Sequence, residues 1–144
     1  MTRALSFGPL VWESGLEYAI HAVALARARG AVCRLRIVGA GEHLHAVAFA
    51  RHQLDVVDLV ELVAPENARP LAHELRAADV LVDAAVADTP SNAALETARE
   101  LGVPFVATRR PGLGDDGGLI VERRDPAAIA DALARVAVSP RQRA

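Results

Sequence analysis

The stretch AADVLVDAAVADTPSNAALETARELGVPFVAT, residues 77–108, decides the fold. Asp79 to Val82 is a short apolar run, extendable to Ala85, of the length and β-branched content expected for a buried strand. Thr89-Pro90-Ser91 opens a helix, which Gly102 closes. Val103 to Ala107 is a second buried strand. Working outward, the same alternation continues in both directions. Ala4 to Phe7 reads as a first strand, ended by Gly8 and Pro9. A helix with Leu16, Ile20, Val23 and Ala24 on one face runs to Gly30. Cys33 to Val38 is the second strand, with a turn at Gly39-Ala40-Gly41. His43 to about Leu54 is helical, Leu59 to Val63 is the third strand, and Pro70 opens a helix to about Ala78. Beyond residue 108, Gly118 to Val121 is the sixth strand. Asp125 and Pro126 then pair an N-cap with an N1 proline, for a last helix to about Val136. The tail Ser139 to Ala144 is polar and expected to fray. Strands alternating with helices give an α/β fold: a doubly wound, Rossmann-like parallel sheet of about six strands with helices on both faces. Ligands of such sheets sit outside the carboxyl ends of the strands, near the switch in strand order. The residues that follow strands one, two, four and five are therefore the ones that matter for function.

Composition sets the outer bounds. A chain of 144 residues, 52% apolar and 24% charged, is one globular domain spanning residues 1–144. Only 3% of it is aromatic, so its core is built from Ala, Val and Leu. A net charge of -2 argues against a broad nucleic-acid surface. The lone cysteine, Cys33, excludes an internal disulfide and reads as a small buried hydrophobe. No apolar stretch reaches the roughly 20 residues that span a bilayer, and Met1 to Arg3 do not lead into a signal-peptide core. The expected location is the cytoplasm or the cytoplasmic membrane face. All sixteen basic residues are Arg. Without lysine there is no Walker A phosphate loop and no Schiff-base enzyme. A bound phosphate must be met by Arg, by backbone amides or by helix N-termini.

Asp88-Thr-Pro-Ser-Asn-Ala-Ala-Leu-Glu96 carries the clearest chemistry. Asp88 lies just before the helix and Glu96 falls in its second turn. Between them the first helical amides, around Ser91, Asn92 and Ala93, are free donors at the positive end of the helix dipole, where a phosphate can rest. Carboxylates flanking such a site suit a ligand with hydroxyls beside phosphates. The plainer readings are an N-cap for Asp88 and a solvated helix carboxylate for Glu96. Arg109 and Arg110, at a strand end, either supply positive charge to the same place or belong to a solvated loop. Ser14 and Glu17 have capping-box spacing. Trp12 reads as a lid packed over the first loop rather than a stacking platform. His43, His45 and His52 lie on or beside one helix, with no nearby carboxylate or cysteine to complete a metal set. Gly39-Ala40-Gly41 follows a strand, but the next glycine of a dinucleotide fingerprint is Leu44.

The spacing of Asp88 and Glu96 resembles the Glu-x7-Glu motif of retaining GT-B glycosyltransferases, of the family 4 or "glycosyl transferases group 1" type. Asn92 and Leu95 also fit that pattern. So do the loop Gly8 to Gly15, the strand and turn Leu35 to Gly41, and the strands Ala77 to Val82 and Gly102 to Thr108. So does the closing segment, Gly118 to Val121 followed by Asp125 and Pro126. The resemblance covers nearly all of residues 4–137. It implies a nucleotide-sugar-binding C-terminal domain, donor half of an enzyme that transfers a hexose from a nucleoside diphosphate without a metal or other cofactor. In that reading Glu96 grips the ribose and Asp88 contacts sugar hydroxyls. The amides of Ser91 to Ala93 hold the diphosphate, Gly8 lets the backbone approach it, and main-chain groups from Val63 to Pro65 read the base. The family has an Arg and a Lys where this chain has Pro9 and Ser14, Asp88 stands for a longer Glu, and Thr89 replaces a glycine. Arg109 is the candidate replacement cation. The family's acceptor domain is absent from these 144 residues, so the expectation is a partner domain or subunit and little activity for this chain alone. The competing expectation is a non-catalytic module that kept the fold and lost the donor clamp.

Overall fold

In the computed structural model, residues 1–89 and 92–138 are described. Along them run β1 (Thr2–Phe7), α1 (Leu16–Ala28), β2 (Cys33–Val38), α2 (Leu44–Gln53), β3 (Val60–Val63), α3 (Leu71–Ala77), β4 (Val80–Asp83), α4 (Ala93–Leu101), β5 (Phe105–Thr108), β6 (Gly118–Val121) and α5 (Pro126–Val138). The strands form one sheet in the order β3-β2-β1-β4-β5-β6, and every pairing in it is parallel. The doubly wound Rossmann-like expectation is met, and the strand order reverses between β1 and β4.

The central strands β4 and β5 are buried on both faces, the edge strand β6 is only half-buried, and the side chains of the sheet divide between two cores. On one face α1, α2 and α5 bring Ile20, Val23, Val47, Ile129 and Leu133 against Ala4, Leu35, Ile37, Val80 and Val106. On the other, α3 and α4 bring Leu75, Leu95 and Ala98 against Leu5, Leu81 and Phe105. Full burial of such a side chain stabilises by about 1.5–3 kcal/mol, so these residues fix the sheet and hold the strand ends in register. Cys33 is buried at the start of β2. Burial, with the charge of Asp79 adding to it, pushes its thiol up to about 12, as fits an inert core residue. The polar tail at 139–144 lies outside the described residues.

Two local expectations fail for identifiable reasons. Ser14 does not cap α1. The 3-10 turn Trp12–Ser14 intervenes, and Gly15, at φ +60°, is the residue before the helix. A Cβ at Gly15 would stand 2.0 Å from the Ala84 carbonyl oxygen, so the chain there has room only for glycine. Ser14 Oγ instead donates to the Pro9 carbonyl at 2.7 Å, and Glu17 meets His43 Nε2 at 2.9 Å. The fourth helix starts at Ala93 rather than at Thr89, because Asn92 is its cap: Asn92 Oδ1 accepts from the Leu95 amide at 3.0 Å. Glu96 therefore lies in the first turn and not the second.

Beside β2 a buried carboxylate pairs with a half-buried arginine. Glu74 in α3 is 4% exposed and accepts from Arg36 Nε at 2.8 Å, from Arg36 Nη2 at 3.0 Å and from the Arg69 amide at 3.0 Å. The Arg36 bonds, with the Arg69 amide, hold its carboxyl below the usual range against the opposing effect of burial. A carboxyl depressed in the folded state stabilises above its unfolded pKa, and that stability is lost as pH falls through the folded value. Glu74→Gln should cost about 2 kcal/mol at neutral pH and flatten the loss of stability on acidification. Urea midpoints at neutral and acidic pH, compared between the two proteins, measure this. Equal pH slopes would show that the pair does not set the acid limb.

Candidate functional site

A cleft of about 470 Å³ opens at the β1/β4 switch point. Its walls are the loop after β1 (residues 8–16), the ends of β2 and β4, and the start of α4. Backbone hydrogen bonds hold these walls together. Gly8 N–H donates to Val38 O at 3.0 Å and Leu10 N–H to Ala40 O at 2.9 Å. Across the switch point Val86 N–H donates to Glu13 O at 2.9 Å. Ser6 Oγ reaches Val82 O at 2.8 Å and Thr108 Oγ1 reaches Ala85 O at 2.6 Å, closing the floor between neighbouring strands. Glycine is required where these walls meet. A Cβ at Gly41 would lie 2.2 Å from Leu10 O, whereas one at Gly8 (φ +154°) would meet nothing within 4 Å. The backbone at Gly8 thus faces open space.

The side chains foreseen from the sequence are only partly brought together. Gly8, Asn92 and Ala93 line the cleft. Ser91 lies outside the described residues. Asp88 stands on the exposed rim, ion-paired to Arg123 beyond β6, and does not line the cavity. Glu96 is exposed on α4 outside the cavity lining. Val63 closes β3, and its carbonyl accepts from the Gly39 amide at 3.1 Å. The carbonyls of Ala64 and Pro65 accept from Asn67 and Ala68 in a 3-10 turn. Arg109 points away, in an exposed pair with Glu122 at 2.9 Å. Trp12 is 57% exposed and so is no packed lid. His43, just before α2, meets the carboxylate of Glu17, but no group of three or more metal-ligating side chains occurs among the described residues.

Sequence reading offered Arg110 only beside Arg109 and missed Asp83; Arg110 and Asp83 together make the polar floor of the cleft. Arg110, with its side chain 1% exposed, lies 3.3 Å from Asp83 through Nη2, and its Nη1 donates to Thr89 Oγ1 at 2.8 Å. Asp83 in turn accepts from Asn92 Nδ2 at 2.9 Å and from the Ala85 amide at 3.2 Å. This network ties the ends of β4 and β5 to the cap of α4. One signal could have found it. Strand alternation puts Thr108 and Arg110 on one side and Arg109 on the other, so Arg110 was the arginine to choose.

Comparison with known proteins agrees with this architecture. A profile described as glycosyl transferases group 1 matches residues 2–138. The chain is 38% identical, over 97 residues, to a D-inositol 3-phosphate glycosyltransferase of Saccharomonospora viridis, covering 64% of this chain and 22% of that protein. It is 33% identical over 101 residues to the protein of the same name from Corynebacterium jeikeium, covering 67% and 24%. The chain thus spans about a quarter of the length of these curated relatives. Among solved structures it is similar to Anabaena Alr3699/HepE in complex with UDP-glucose, with a TM-score of 0.84, 16% identity, and coverage of 96% of this chain and 39% of that one. It is also similar to the C-terminal domain of the group 1 glycosyl transferase LpcC of Francisella tularensis, with a TM-score of 0.80, 16% identity, and coverage of 95% and 75%. No helix among the described residues is long and apolar enough to cross a membrane. The family match over nearly the whole chain, on a sheet with its cleft at the switch point, shows that the chain belongs to the glycosyl transferases group 1 family.

Proposed function

We propose that this chain is the donor half of a retaining glycosyltransferase. It would bind a nucleoside-diphosphate hexose in the switch-point cleft, and the acceptor would be held by another domain or subunit. The observation that carries this reading is the placement of α4. Its amide end, at Asn92 and Ala93, lines the same cleft as the side-chain-free backbone of Gly8, the setting in which a diphosphate is held by main-chain donors. The similar fold of a protein solved with UDP-glucose supports the same ligand class. Glu96, without a partner among the described residues and one turn into α4, would hold the ribose. Asp88 would exchange Arg123 for sugar hydroxyls, main-chain groups near Val63 would meet the base, and Arg109 would stand as an outer cation on the rim. No metal or other cofactor enters this scheme. A cytoplasmic location suits a nucleotide-sugar donor.

A second reading, a non-catalytic binding module, has one specific observation in its favour. Among the described residues the charged side chains lining the cleft are Glu13, Asp83 and Arg110, so carboxylates outnumber cations there.

Calorimetric titration with UDP, GDP and ADP, beside Glu96→Ala, decides between the readings. The expected result is binding of one nucleotide in the micromolar to low-millimolar range, weakened roughly tenfold or more by the substitution through loss of a charged hydrogen-bond acceptor. A folded protein that binds none of the three would sink the donor reading and favour the module.

A further inference from the structure

We propose that Arg110 is the cation of the cleft: together with the opening amides of α4 it forms an anion site that takes the diphosphate of the ligand, and Asp83 is the internal group that occupies Arg110 until the ligand arrives. This inference rests on the donor-site reading above and deepens it.

Three independent features converge. First, Arg110 is the one cationic side chain lining the cleft among the described residues. Its side chain is 1% exposed and has Asp83 3.3 Å away as its charge partner, as a buried arginine needs. Second, its donors are only partly satisfied. Nη1 donates to Thr89 Oγ1 at 2.8 Å and Nε to Thr108 O at 3.3 Å. Nη2 is screened from water and makes no hydrogen bond, although Asp83 Oδ2 lies 3.3 Å away. A buried donor left without an acceptor calls for an explanation such as an absent ligand, and a guanidinium matches phosphate oxygens with paired N–H groups. Third, α4 is a nine-residue helix whose cap, Asn92, takes the Leu95 amide. No acceptor among the described residues takes the amides of Ala93 and Ala94, and both residues line the same cavity.

The arrangement also accounts for Asp83. Its carboxylate accepts from Asn92 Nδ2 and from the Ala85 amide, so it is held in place whether or not Arg110 remains paired with it. An incoming phosphate oxygen would offer Nη2 the aligned acceptor that Asp83 does not. Asp83 thus compensates the buried charge of the empty site and competes with the ligand for it. Affinity for anions should rise when that competition is removed.

The test titrates the whole chain with inorganic pyrophosphate, UDP and uridine, as wild type, Arg110→Gln and Asp83→Asn. Wild type should bind pyrophosphate and UDP. Arg110→Gln should weaken both by roughly tenfold or more while leaving uridine unchanged, because only the charged hydrogen bonds to phosphate are lost. Asp83→Asn, which keeps the side-chain volume, should tighten pyrophosphate several-fold. Pyrophosphate affinity unchanged in Arg110→Gln overturns the proposal, as does uridine binding without pyrophosphate binding in wild type. If Arg110→Gln fails to fold, Asp83→Asn decides, and unchanged or weaker pyrophosphate binding by that variant overturns the proposal. Binding of pyrophosphate, with UDP, GDP and ADP binding no better than it, would leave Arg110 as an anion site and sink the donor reading instead. Binding of neither pyrophosphate nor UDP overturns both.

Discussion

Phe105→Ala should be the most damaging single truncation in this chain, lowering stability by about 4 kcal/mol and the melting temperature by roughly 15 °C. Phe105 begins β5 and is fully buried, in the core under α3 and α4. Its ring fills space that two neighbours have left for it. Arg99 of α4 stacks its guanidinium over the ring, 5.1 Å from the centroid. Gly118 of β6 lies so close that a Cβ there would stand 2.4 Å from the ring. Truncation therefore opens a cavity between two strands and a helix, which rigid strands cannot close. It also removes the cation–π contact that anchors α4, the helix whose first turn faces the cleft. A thermal melt followed by circular dichroism checks this. A fall of only a few degrees would mean that the β5–α4 layer repacks freely, contrary to the burial seen here.

Gly39→Ala should combine a loss of about 3 kcal/mol with a deformed cleft. Here the constraint is space. The added methyl would stand 1.9 Å from the Gly8 carbonyl oxygen and 3.2 Å from Leu10 Cδ2. The loop cannot easily retreat, since Gly8 and Leu10 are hydrogen-bonded through their amides to Val38 and Ala40, and Leu10 O accepts from the His43 amide. One or more of those bonds must break, and Gly8, Pro9 and Leu10 all line the cleft. Nucleotide affinity should fall together with stability. Gly114→Ala is the matched control. A Cβ there meets nothing within 4 Å, so the change should stay within about 0.5 kcal/mol. Urea unfolding and titration of both variants measure the difference. A Gly39→Ala protein as stable as the Gly114→Ala protein would show that the first loop is not wedged against the turn after β2.

The two variants probe parts of the molecule that were unequally visible in the sequence. The strand at Phe105 was plain: a short apolar run after Gly102, one of six that alternate with helices. The cleft's position followed, because a doubly wound parallel sheet offers its strand ends at the reversal of order. The contents of the cleft were another matter. Ser14 and Glu17 have the spacing of a capping box, yet Glu17 pairs with His43, 26 residues away. Asp88 invites an N-cap reading, yet it meets Arg123, 35 residues on. Asp83 carried no motif at all. Its partner Arg110 lies just past the next strand, where alternation with Arg109 was its one local mark.

The division has a physical cause. Strand and helix identity, chain order and the two-sided burial of the sheet are set by periodicity and by glycine and proline punctuation. These act through backbone geometry over a few residues, so the sequence alone determined an α/β sheet with its site at the strand ends. Which charged groups meet inside that site depends on how strand ends and loops from distant parts of the chain are brought within 3–4 Å. Long polar side chains choose among several partners there by small differences in distance and desolvation. Only the tertiary structure decided that Arg110 meets Thr89 and Asp83, that Asn92 caps α4, and that Asp83 shares the cleft floor with the buried arginine.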